Sequence, residues 1–307
     1  MSLVVDFLLL CLGFFLLTKG ADYFIENSAS FAEEKGISPH VVGVTIVAFG
    51  TSLPELLVSI ISSFQDYNDL ALGNIVGSNI SNIGLVLAVS TFIFYYVLGT
   101  HIVPDNDANN DSYVMFLAVI LLFLFSQDNL ISASEGALFF IMYLIYIFWL
   151  YKRSSDTSIN QDVEEKTSFT LLLGGLVALL FGAQITVDAA VSIAESMGVS
   201  EIVIGLSVVA IGTSLPELAG TVSAARMGHK EIAVGNVIGS NIANIFLVMG
   251  VLAIISPIAV ESFVIERTLP LLIMLTIATF AMIRIPLTRL GGLILFSFFI
   301  LFIYQLI

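Results

Sequence analysis

The chain has 307 residues, 58% of them hydrophobic and only 11% charged, with a mean hydropathy of +1.04 and a formal net charge of −14. A soluble domain carries about 25% charged residues, so this composition marks an all-α, polytopic membrane protein embedded in a lipid bilayer. It leaves no room for a soluble enzyme, a nucleotide-binding domain or a nucleic-acid interface.

Apolar segments of about 20 residues predict about ten transmembrane helices that use up nearly the whole chain. The first, near 3–25, has no basic segment ahead of it and carries Asp6 before its core, so a cleaved signal peptide is not expected. Its Cys11 is the chain's single cysteine, which excludes an internal disulfide. The second, near 40–64, contains AFGTSLPELLVS at Ala48–Ser59, and the third, near 70–99, contains ALGNIVGSNISNIGLVL at Ala71–Leu87. Between the third and fourth lies PDNDANND (Pro104–Asp111), whose acids are read as solvated loop residues. The fourth and fifth, near 113–126 and 133–152, end the first half, and the polar stretch 154–168 reads as a flexible cytoplasmic linker. The sixth lies near 168–191. The seventh, near 202–226, contains AIGTSLPELAGT at Ala210–Thr221, and the eighth, near 232–257, contains AVGNVIGSNIANIFLVM at Ala233–Met249. The ninth and tenth fall near 265–284 and 288–306.

Lys35, Lys152, Arg153, Lys166, Arg226, Lys230, Arg284 and Arg289 all fall in alternate loops, with Arg267 alone in the opposite set. The positive-inside bias therefore predicts cytoplasmic basic loops and extracellular termini in the cell membrane.

The two proline-bearing stretches are 217 − 55 = 162 residues apart, and the same offset pairs Gly13 with Gly175, Gly20 with Gly182 and Gly36 with Gly198. Apolar helices match by chance at Leu, Ile and Val, but not at Gly, Asn, Ser, Pro and Glu in register, so this is an internal duplication. Each unit holds about five helices, an odd number, so the second copy is expected to be inverted. The repeats are placed at 1–153 and 169–307. Inverted repeats are typical of secondary transporters, with ion sites between them near the midplane.

Pro54 and Pro216 lack amide hydrogens and crowd the carbonyls of Gly50 and Gly212, so both helices should be discontinuous. A carboxylate at mid-membrane costs roughly 3 kcal/mol on insertion scales, and Glu55 and Glu217 incur that cost at equivalent positions without a basic partner at their depth. A bound cation is the natural compensation. Thr51, Glu55 and Ser59 share a stripe at intervals of four, with Ser52 beside it, and Thr213, Glu217 and Thr221 repeat it. Ser78, Asn82, Ser240 and Asn244 lie on the following helices opposite the acids and read as ligands. Asn74, Asn236, Asn79 and Asn241 fit interhelical hydrogen bonds at least as well. The donors are all oxygen and the histidines His40, His101 and His229 are read as loop residues, which disfavours copper and zinc. A flexible oxygen cage with two negative charges suits Ca2+ better than Mg2+, and Na+ can use the same oxygens.

GTSLPE at Gly50–Glu55 and Gly212–Glu217, with GNxxGSNIxNI at Gly73–Ile83 and Gly235–Ile245, resembles the α-repeats of the calcium/cation antiporter superfamily, in its sodium/calcium exchanger branch. The resemblance implies ten spans and Ca2+/Na+ exchange by alternating access. By position it implies ligands at Glu55, Glu217, Thr51, Thr213, Ser52, Ser214, Ser78, Ser240 and Asn82, and backbone-carbonyl ligands at Ala48 and Ala210. It departs at Asn244, where several such exchangers carry Asp; here Asn82 and Asn244 leave two carboxylates.

The expected function is a monomeric secondary antiporter that exports Ca2+ against Na+ influx, with no cofactor. Ca2+/H+ exchange on the same fold is the alternative. A cation channel would need a continuous pore, usually from oligomeric symmetry, and an intramembrane hydrolase using Ser52 or Ser214 would need a base that is not present at their depth. The first and sixth helices carry paired glycines but no ligand-type motif, and are expected to slide against the ion-bearing helices.

Overall fold

The computed structural model describes residues 3–64, 68–102, 106–155, 167–198 and 210–306. Its helices are α1 (Leu3–Lys35), α2 (Pro39–Thr51), α3 (Leu53–Phe64), α4 (68–96), α5 (Asn106–Phe125), α6 (Ala133–Ser155), α7 (Phe169–Ser196), α8 (Ala210–Gly212), α9 (Leu215–Met227), α10 (Lys230–Ile255), α11 (Val264–Met282) and α12 (Arg289–Leu306). Two short strands, β1 (Leu130–Ile131) and β2 (Ile258–Ala259), pair antiparallel with Leu130 opposite Ala259. Positions 202–209 of the predicted seventh helix and 156–166 of the predicted linker lie outside the described residues.

Among the described residues, seven helices are long and apolar enough to cross a membrane, and α2 with α3 makes an eighth span bent by 43°. The bend has a local cause. Ser52 leaves the helix at φ −85°, ψ 7° just before Leu53-Pro54, where the proline ring removes a hydrogen-bond donor. Ser214 does the same at φ −87°, ψ 6° before Leu215-Pro216. Both expected breaks are present.

The α4 and α10 spans form the centre, with 78% of their most apolar stretch buried against 22% for α1 and α6. Two glycine seams explain the packing. A Cβ on Gly235 would lie 2.7 Å from the His40 carbonyl, and one on Gly43 would lie 2.8 Å from that of Ile232, so α2 meets α10 backbone to backbone. Likewise, α1 meets α7 so closely that a Cβ on Gly175 would lie 2.6 Å from the Phe24 amide nitrogen and one on Gly13 2.5 Å from Thr186 Oγ1.

Four expectations are corrected. The first helix runs on to Lys35, and the fourth begins at Asn106, not near 113. The polar residues before 113 form its first turns, where Asp107 faces the favourable end of the helix dipole. Asp111 is not solvated but buried, and His40 is not in a loop but buried in α2. His40 Nε2 donates to Asp111 Oδ2 at 2.8 Å, and Arg153 Nη2 donates to the same oxygen at 3.0 Å. Burial of His40 and Asp111 is tolerable because the carboxylate accepts from both the imidazole and the half-buried Arg153.

Contacts between loops sort them onto two faces. Arg153 joins the ends of α2, α5 and α6, Arg226 bonds Asp22, and Ile102 bridges Leu287. Arg284 stacks 4.9 Å from Tyr113 and Arg289 5.4 Å from Tyr95. These residues lie in or beside the basic loops, which therefore share one face, while the β1–β2 pair joins two loops of the other set.

Candidate ion-binding site

Where α2, α3 and α4 meet α8, α9 and α10, the two carboxylates join one cluster, because Ser52, three residues before Glu55, bonds Glu217. Glu55 is presented by the first turn of α3 and Glu217 by the first turn of α9, each just past its helix break. Helix N-termini carry partial positive charge and unpaired amide hydrogens, so each break aims favourable dipoles at its carboxylate. Both acids are fully buried.

Hydrogen bonds cross between the halves of the chain. Ser52 Oγ donates to Glu217 Oε1 at 2.8 Å, Thr51 Oγ1 to Asn236 Oδ1 at 3.1 Å, and Ser240 Oγ to the Ala48 carbonyl at 3.4 Å. Within the first half, Ser78 Oγ donates to Glu55 Oε1 at 3.4 Å. The Ala48 carbonyl, a ligand by the family resemblance, also accepts from the Ser52 amide at 3.0 Å and from Thr51 Oγ1 at 3.3 Å. It is shared, not orphaned.

A set of buried oxygens remains without a donor. Among the described residues, Glu55 Oε2 and Glu217 Oε2 find no hydrogen-bond donor, Ser214 Oγ finds no partner, and both amide atoms of Asn82 and of Asn244 are unpartnered. Buried polar atoms are ordinarily satisfied, and these lie on residues that sequence reading marked as ligands. Asn82 and Asn244 each open a π-helical segment, Asn82–Leu87 and Asn244–Met249, at the same offset of 162 (244 − 82). A π-bulge re-aims side chains and is frequent at functional positions. A third, Gly43–Val47, runs directly into Ala48. No short-range sequence signal marks these bulges.

Asn74 and Asn236 act as braces. Asn74 Nδ2 donates to Ser59 Oγ at 3.0 Å and to the Glu55 carbonyl at 3.3 Å; Asn236 Nδ2 donates to Thr221 Oγ1 at 2.8 Å and to the Glu217 carbonyl at 3.4 Å. Each holds its acid-bearing helix at a fixed height against the next. Asn79 and Asn241 donate to carbonyls of their own helices at 2.8 and 2.7 Å. Thr213 stands apart from the hydrogen-bonded cluster, half-buried on the wall of a cavity of about 430 Å3. That cavity runs between α7, α3 and the α8–α9 break, past Asp188 and Gln184 to Pro54 and Pro216. Ala210 opens α8, and only its backbone is described.

Together these groups can do one kind of chemistry. Two carboxylates, hydroxyls and amide oxygens in a dry site are hard-cation ligands, and a divalent ion would balance the two charges.

Residues 5–152 and 167–307 match the family model of the sodium/calcium exchanger protein. The chain is 34% identical to sodium/calcium exchanger MaX1 of Methanosarcina acetivorans, with 99% of both chains covered. It is 29% identical to inner membrane protein YrbG of Escherichia coli, over 88% of this chain and 86% of that one. Among solved structures, the sodium-calcium exchanger NCX_Mj soaked with zero Na+ and Ca2+ superposes with a TM-score of 0.88 at 32% identity, covering 100% of both chains. A match over nearly the whole of both halves leaves one conclusion: the chain belongs to the sodium/calcium exchanger protein family.

Proposed function

We propose that the protein is a monomeric antiporter that exchanges Ca2+ for Na+ across the cell membrane by alternating access. Ten spans form two inverted five-helix repeats, 1–153 and 169–307, joined by a linker at 154–168, with both termini extracellular. Glu55, Glu217, Ser52, Ser214, Thr51, Thr213, Ser78, Ser240, Asn82 and Asn244, with the carbonyls of Ala48 and Ala210, hold the ions near the midplane. The observation that carries this reading is the pair of fully buried carboxylates, one from each half, each with an oxygen that accepts no hydrogen bond from the described residues. Family membership and the full-length likeness to MaX1 and NCX_Mj support the choice of ions.

Both ions would use the same residues, so they compete, and competition at one site is what couples their fluxes. The glycine seam makes α1 and α7 one unit, whose contacts with the ion-bearing helices are made through side-chain tips such as Phe24 against Gly50. That contrast suits sliding of α1 and α7 along the rest. Measuring 45Ca uptake into proteoliposomes under imposed Na+, K+ and pH gradients tests the reading. Uptake that follows the Na+ gradient supports it; uptake that follows pH and ignores Na+ replaces it with proton exchange.

A further inference from the structure

The 162-residue offset allows each side chain along the proposed ion path to be compared with its counterpart in the other half. The comparison is uneven. The large cavity beside α7 is lined by Val187, Asp188, Val191, Ser192 and Glu195, and it extends to Thr213. Subtracting 162 gives Ile25, Glu26, Ala29, Ser30, Glu33 and Thr51. Of these, Glu26, Ala29, Ser30 and Glu33 line a second cavity of about 290 Å3 on the basic face. The counterparts of the deeper positions are closed, since Ile25 and Thr51 are fully buried. The same passage is thus deep on one side and shallow on the other.

A charged bridge stands where the shallow passage stops. Ser223 Oγ of α9 donates to Asp22 Oδ1 of α1 at 2.7 Å, and Arg226 Nη2 of α9 donates to the same oxygen. Ser223 is buried and the Asp22 side chain is 15% exposed, so the Ser223–Asp22 bond is sheltered, while Arg226, 55% exposed, closes the bridge from the solvent side. Its counterparts in the deep passage are Gln184 (22 + 162), Ile61 (223 − 162) and Phe64 (226 − 162). Gln184 Nε2 spends its donor on Asp188 of its own helix at 2.8 Å. Among the described residues no hydrogen bond or ion pair joins α7 to α3.

We propose that Asp22, Ser223 and Arg226 form a latch that holds the basic-face passage shut and biases the protein toward the state open on the opposite face. This rests on the antiport reading above, in which α1 and α7 slide against α9 and its neighbours. Sliding changes the register of Asp22 against Ser223 and Arg226, so the latch must break each time the basic face opens. Because among the described residues the deep passage has no such bridge, the two states are unequal in energy although the repeats are alike. Asp22, Ser223 and Arg226 are positioning residues; none belongs to the proposed ligand set.

The test reads accessibility in detergent, without any ion gradient, in a Cys11→Ala background, since Cys11 is free and exposed. Maleimide labelling is followed in the Ile25→Cys and Val187→Cys proteins, which report the two passages. Labelling of Ile25→Cys should be slow and that of Val187→Cys fast. Adding Asp22→Asn should speed Ile25→Cys about tenfold, the size expected for hydrogen bonds to a charged group, and Arg226→Gln, which removes a solvent-screened partner, should speed it by a smaller factor of about two to five, while Val187→Cys holds or slows. Lys19→Gln, which removes a partner of Asp22 on the same helix at 3.6 Å, should change neither. No acceleration at Ile25→Cys in either variant, or equal acceleration at both reporters as general loosening would give, overturns the latch. Sodium dependence of 45Ca flux is measured on the same variants after reconstitution into proteoliposomes. A failure of Na+ coupling with intact labelling changes strikes the exchange reading and leaves the latch standing.

Discussion

At the scale of the residue, the two halves are related but not identical, and this asymmetry yields predictions. Ser52 Oγ donates to Glu217, whereas the Ser214 hydroxyl, its equivalent, has no partner among the described residues. Ser52→Ala should therefore lower the melting temperature more than Ser214→Ala, with a difference of about 1–3 kcal/mol for stranding a charged acceptor; thermal melts of the purified variants decide it. Glu55→Gln and Glu217→Gln should each remain folded yet lose Ca2+ exchange at least tenfold, checked by gel filtration and 45Ca flux. Asn244 fits the proposed site but brings no charge. With both glutamates ionised, one Ca2+ neutralises the site, and a third Na+ would leave a surplus that is costly in a low-dielectric environment. Asn244→Asp should consequently tighten Na+ more than Ca2+, read as the shift in half-saturating Na+ for flux against the shift in Ca2+ affinity.

At the scale of the element, most of what positions the site was legible from local sequence. The prolines located both breaks, the hydroxyl and asparagine stripes located the facing helices, and the recurrence at 162 residues paired them. The braces at Asn74 and Asn236 were open to the interhelical role they have. What remained hidden depends on partners distant in the chain. His40, Asp111 and Arg153 looked like loop residues because each is polar and lies at the edge of an apolar run, yet they satisfy one another across three helices. The π-bulges were invisible because they arise where two spans must both pack and aim an asparagine inward. Asp111→Ala would leave His40 and Arg153 without their shared acceptor, and should destabilise the fold by roughly 3 kcal/mol as broken buried pairs do, seen as a lowered melting temperature. Gly235→Ala should likewise lower it, because the added methyl meets the His40 backbone at 2.7 Å and overpacking typically costs about 1–3 kcal/mol.

At the scale of the whole molecule, the glycine seams divide the helices into a closely packed α1–α7 pair and the group built around α4 and α10. Alternating access follows from that division if the pair moves as a body and the buried carboxylates stay with the group. Crosslinking α1 to α9 through engineered cysteines should then abolish flux while Ca2+ binding persists. The central claim is that one buried two-carboxylate site couples Ca2+ to Na+, and 45Ca uptake into proteoliposomes with Na+, K+ and pH gradients imposed in turn tests it most directly. The account predicts Ca2+ uptake driven by outward Na+, electrogenic, saturating only at high Na+ and lost in Glu55→Gln and Glu217→Gln. Uptake that tracks the pH gradient irrespective of Na+, or that survives both substitutions, would contradict it.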